Sequence, residues 1–179
     1  MEPHSQAMQP KATASVLFII TGIALIVLGA FSALESLTSI INFLSLYSSM
    51  SPYLSLDVFP WPQTVFSILT GALMIVAGIL ALVFARQPQK SSLVLVFALI
   101  AGACALIELA LQFFRIIGTI ANYGGDYFGF SSTVFFGLLP APLPAVHVFY
   151  ILAGVLGLAA AVVLCICAIL ARSRARGVR

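Results

Sequence analysis

One stretch places a side chain able to exchange a proton well inside an apolar run: LIELALQFFR, residues 106–115. Stepping by three and four from Ala98 gives Ala101, Ala105, Glu108, Gln112 and Arg115, which is one face of a helix. A charged carboxyl at mid-membrane costs on the order of 3 kcal/mol on insertion scales, so it needs a partner or a task. Two readings stand open. In one, Glu108 belongs to a structural network with Gln112, with hydroxyls such as Thr21 or Thr70, or with Arg115. In the other it is a proton or cation site in a transport path. Against the second stands the sequence reading that no other acid or histidine lies at helix depth, because a lone carboxylate makes a poor relay.

Other chemistry is sparse. His147 falls at the start of the last apolar run, where it reads as an interface residue, and His4 lies in the opposite tail. That arrangement supports neither axial haem ligation nor a metal centre, so no cofactor and no metal is expected. Cys104, Cys165 and Cys167 all fall inside apolar runs, as buried thiols or, for the last two, as candidate acylation sites near a helix end. There is no phosphate-binding glycine loop, no paired carboxylates and no Ser–His–Asp group whose members meet at one depth. No catalytic residue is assigned, and the chain is expected not to be an enzyme.

The elements that must position these residues follow from composition. Of 179 residues, 62% are hydrophobic and 7% charged, with a mean hydropathy of +1.17. A soluble domain carries roughly 25% charged residues. Four apolar runs, about 12–34, 64–85, 92–114 and 146–171, each reach the roughly 20 residues needed to cross a hydrocarbon core. They are apolar all round, which excludes a barrel, so the expected class is an all-α membrane protein, a four-transmembrane-helix antiparallel bundle. A cleaved leader is a weaker reading of the first run, whose 23 residues exceed the usual 7–15.

Charge sets orientation. Lys11, Arg86, Lys90, Arg172, Arg174, Arg176 and Arg179 fall on one side, and only Arg115 falls on the other, with Glu35, Asp57 and Asp126. The positive-inside rule then puts both termini, 1–11 and 172–179, in the cytoplasm, with outer loops 35–63 and 115–145. The net charge of +3 is a topology signal and calls for no nucleic acid. The expected partners are the lipid bilayer and either further copies or other membrane subunits, and the expected location is the plasma membrane.

One phrase is written twice. Residues 21–29 read TGIALIVLG and 70–78 read TGALMIVAG, with small residues every seven positions: Ser15, Gly22, Gly29, Ser36 and Thr64, Gly71, Gly78, Ala85. Small stripes let helix backbones approach closely where no hydrophobic drive separates helix from lipid. The phrase therefore reads as a packing code, with Gly102, Gly154 and Gly157 as looser counterparts on the third and fourth helices. The outer side gathers Tyr53, Phe59, Trp61, Tyr127 and Phe128, as an aromatic belt or a partner-binding surface. Ser36–Tyr47 either continues the first helix or lies flat on the membrane.

The stretch FPWPQTVFSILTGAL, 59–73, resembles the entry to the second helix in the membrane-spanning four-domains family, the B-cell-antigen tetraspans. Phe59-Pro60 and Thr70-Gly71 carry the likeness, which covers about 40 residues including the glycine spacing of the first helix. The first outer loop is longer here, and the outer-loop cysteines of many members are missing. The resemblance implies an oligomeric, non-enzymatic membrane organiser. The expected function is a scaffold or accessory subunit of a membrane complex, with a small channel or transporter subunit using Glu108 as the alternative.

Overall fold

A computed structural model describes residues 9–50, 61–85, 87, 90–123, 131–134 and 139–177. Four helices carry the architecture: α1 (Gln9–Met50), α2 (Trp61–Phe84), α3 (Ser91–Tyr123) and α4 (Leu143–Gly177). Proline lies in the opening turn of three of them, as Pro10, Pro62 and Pro144, where its missing N–H is no loss. After Phe84 the chain reverses tightly, with the Gln87 N–H donating to the Phe84 carbonyl at 2.9 Å and the Lys90 N–H to the Gln87 carbonyl at 3.0 Å. A two-stranded antiparallel ribbon precedes α4: β1 (Ser131–Val134) pairs with β2 (Leu139–Pro142), Ser131 opposite Pro142. Pro140 and Pro142 fit there because each strand of a two-strand ribbon has an unpaired edge.

The helices outrun the apolar stretches read from the sequence. At 1.5 Å per residue, the 42 residues of α1 span about 63 Å and the 33 of α3 about 50 Å, against about 30 Å of hydrocarbon. The segment 35–50, read as the start of an outer loop, is helix, the continuation that the sequence reading had left open. α3 likewise runs to Tyr123 rather than ending at 114, and α4 starts at Leu143. All four helices are long and apolar enough to cross a membrane. Large apolar side chains such as Ile20, Val27, Val83, Leu99 and Leu156 are exposed along their outer faces, as a lipid-facing surface requires. The chain is built as an integral, multi-pass membrane protein.

The repeated phrase packs on itself. A Cβ built on Gly22 would stand 3.0 Å from the Gly78 carbonyl oxygen, and one on Gly29 would stand 2.5 Å from that of Gly71. The reciprocal positions are as close: 2.5 Å from Gly78 to the Gly22 oxygen, and 2.6 Å from Gly71 to the Gly29 oxygen. The first glycine of each phrase meets the last glycine of the other, backbone against backbone, where no larger residue fits.

Small residues also floor the rest of the core. Ala77 and Ala81 of α2, Ala98, Ala101 and Ala105 of α3, and Ala161 and Ala168 of α4 are buried around Phe18, Leu25, Val94 and Leu164. Gly102 would place a Cβ 3.4 Å from Ala161, Gly154 one 3.3 Å from Leu109, and Gly157 one 2.8 Å from the Met74 terminal methyl. Thus the glycines singled out in the sequence all sit at helix contacts within the chain. The three cysteines are free thiols, Cys167 buried and the others half-buried.

Candidate functional site

The apolar core fills one end of the bundle, and the other end holds a cavity of about 340 Å³. Each helix supplies a strip of residues spaced by three and four. From α1 come Ser32, Glu35, Ser36, Ser39 and Asn42. From α2 come Gln63, Thr64, Ser67 and Met74. α3 contributes Ala105, Glu108, Leu109, Gln112 and Arg115, and α4 contributes Val146, His147, Tyr150, Ala153 and Gly154. Along α1 the lining runs from Leu28 to Asn42, about 21 Å at helical rise.

Glu108 is anchored from α2. The Ser67 hydroxyl donates to Glu108 Oε1 at 2.6 Å, and the buried Thr70 hydroxyl stands beside the same carboxyl. Ser67 is six residues into α2, so the carboxyl sits about 9 Å along the helix from its start. Ser32 Oγ lies 3.0 Å from Ser67 Oγ, which links α1, α2 and α3 through hydroxyls. The sequence reading had offered Thr21 as a partner. Its hydroxyl instead donates to the Leu17 carbonyl at 2.6 Å, one turn back on its own helix, as hydroxyls within helices commonly do.

The sequence reading missed the second acid. Glu35, taken for a loop residue, is 8% exposed on α1, and the Tyr150 hydroxyl of α4 donates to its Oε2 at 3.2 Å. Edge-on ring contacts steady Tyr150: Phe31 meets Phe149 at 5.5 Å between centroids, and Phe149 meets Tyr150 at 5.7 Å. His147, read as an interface residue, is buried and lines the same cavity. Glu35 and His147 thus line the cavity that also holds Glu108. The signal lay in the three-and-four spacing of Ser32, Glu35, Ser36, Ser39 and Asn42, which continues the face of α1 beyond its apolar run.

Glu108, Gln112 and Arg115 do share one face, and all three line the cavity. Among the described residues no three His, Cys, Asp or Glu side chains are grouped to hold a metal ion. Of the outer aromatics, Trp61 meets the Phe43 ring edge-on at 6.2 Å, while Tyr53, Phe59, Tyr127 and Phe128 lie outside the described residues. Two carboxyls and many hydroxyls thus line one space in an otherwise apolar bundle.

Comparison with known proteins returns no family model, no curated protein and no solved structure that matches the chain. The class is thus set by the helices alone, a multi-pass membrane protein with a polar cavity, and the likeness of 59–73 to the four-domains family stands unconfirmed.

Proposed function

We propose that this is a non-catalytic membrane protein that carries a proton or small cation through the polar cavity around Glu108, as a small channel or transporter subunit. The observation that supports it is the convergence of Glu35 and Glu108, from different helices, on one cavity. Ionisable groups inside a membrane bundle mark ion and proton pathways by default. In this reading the helices form an antiparallel bundle. The pairing of Gly22 with Gly78 and of Gly29 with Gly71 supports opposed directions for α1 and α2. The basic residues favour cytoplasmic termini, so the cavity faces the outer side of a plasma membrane.

The test is flux. Protein reconstituted into liposomes is expected to pass protons or a monovalent cation above the empty-liposome background. A parent protein with no flux under a pH gradient or a potential sinks the proposal.

A scaffold or accessory-subunit role keeps one supporting observation. Phe114 and Ile117 of α3 are 72% and 62% exposed, six and nine residues past Glu108. An exposed apolar strip there suits a neighbouring subunit or a second copy. The glycine stripes give this role less support than the sequence suggested, because their contacts are within the chain. Native mass spectrometry with crosslinking separates the two, since a lone monomer removes the scaffold reading.

A further inference from the structure

The cavity is larger than an ion needs and has two kinds of lining. Its volume of about 340 Å³ is at the low end of small-molecule pockets, and corresponds to roughly ten water volumes at about 30 Å³ each. Polar and apolar groups line it together: Glu35 and Glu108, with Leu28, Phe31, Met74 and Leu109. A solute that satisfies both has a charged head and a carbon body.

Its charge follows from the lining. The ionisable lining is two carboxyls, Glu35 and Glu108, the guanidinium of Arg115 and the imidazole of His147, so with both acids ionised and His147 neutral the lining carries one net negative charge. A monocation neutralises it. A bare alkali ion leaves the apolar part of the lining, Phe31, Met74 and Leu109 among it, without a partner. An ammonium group suits the acceptors, since it brings three N–H donors. Glu108 is already held by Ser67 and Glu35 by Tyr150, so both are fixed before a ligand arrives.

We infer that the cavity is a binding site for a small organic amine, whose ammonium head contacts Glu35 and Glu108 and whose carbon body lies on Phe31, Met74 and Leu109. This rests on the cavity being the working site, as proposed above, and adds the class of cargo.

The test uses the full chain in detergent, with butylammonium as probe and butanol, butyrate and sodium chloride as controls, read by thermal unfolding. Butylammonium is expected to raise the melting temperature saturably, while the controls at equal ionic strength do not. Glu35→Gln and Glu108→Gln are each expected to weaken the apparent affinity about tenfold or more. Should either fail to fold, Tyr150→Phe keeps both acids and is expected to weaken butylammonium several-fold. Equal protection by sodium, unchanged affinity in the variants, or no protection by methyl-, butyl- or benzylammonium overturns the inference. Proton flux without amine binding removes this inference alone, whereas amine binding without flux removes the transport reading and leaves a binding protein.

Discussion

The Ser67 hydroxyl on α2 reaches Glu108 Oε1 on α3 at 2.6 Å while Ser32 on α1 stands 3.0 Å behind it. A hydroxyl has one proton to give. With Glu108 ionised, Ser67 donates to the carboxylate and accepts from Ser32. With Glu108 protonated the chain reverses: the carboxyl donates to Ser67, Ser67 donates to Ser32, and Ser32 turns its proton to the Ser67 carbonyl 3.4 Å away. One proton on α3 is therefore felt on α1, one turn from Glu35.

That chain has a middle and an end. Ser67→Ala removes the middle and leaves Glu108 without its closest donor, so it is expected to lower stability by about 1 kcal/mol, the scale of a polar contact in a membrane bundle. Ser32→Ala removes only the end, and its loss is expected to be smaller. Thermal unfolding of both variants in one detergent gives the order, and a larger loss for Ser32→Ala contradicts it.

The glycine contacts predict steep and unequal costs. Gly29→Ala, Gly71→Ala and Gly78→Ala each push a methyl to within 2.5–2.6 Å of a facing backbone oxygen. Overpacking costs about 1–3 kcal/mol, and more where backbone must move. Gly22→Ala, with 3.0 Å, is expected to cost less than these, and Gly102→Ala, with 3.4 Å to a side chain, least of all. Denaturation titrations of the five variants test the ranking.

Gly118 on α3 is the counterexample. Among the described residues nothing lies within 4 Å of a Cβ placed there, so Gly118→Ala is expected to raise stability by about 0.5–1 kcal/mol through helix propensity. A fall in melting temperature contradicts an open position.

Ser91, at the start of α3, is 2% exposed, and its Oγ has no hydrogen-bond partner among the described residues. An orphaned buried hydroxyl carries a desolvation cost that a methyl lacks. Ser91→Ala is therefore expected to leave stability unchanged or raise it by up to about 1 kcal/mol. A loss greater than that points to a partner for the hydroxyl.

The sequence made the four spans legible because 20-residue apolar runs admit one structure in lipid. The doubled phrase was legible as packing because glycine at seven-residue spacing has few other uses there. The second acid was not, and the reason is particular. α1 was ended at the first charge, Glu35, although Ser36 continues the small stripe of Ser15, Gly22 and Gly29. A polar helical face inside a bundle looks like a loop in hydropathy, since its average conceals that polar residues occupy one side. His147 does lie near the start of its helix, but nearness to a helix end does not say which way the side chain turns, and it turns into the cavity.

The central claim is that Glu108 works from within a cavity that takes up charge. Its most direct measurement compares flux through liposomes holding equal amounts of folded parent, Glu108→Gln and, as a matched control, Gly118→Ala. The account predicts parental flux in the control and a loss of about tenfold or more in Glu108→Gln, a barrier change of at least about 1.4 kcal/mol. Undiminished flux in Glu108→Gln would contradict it, and so would parent protein that conducts no better than bare lipid.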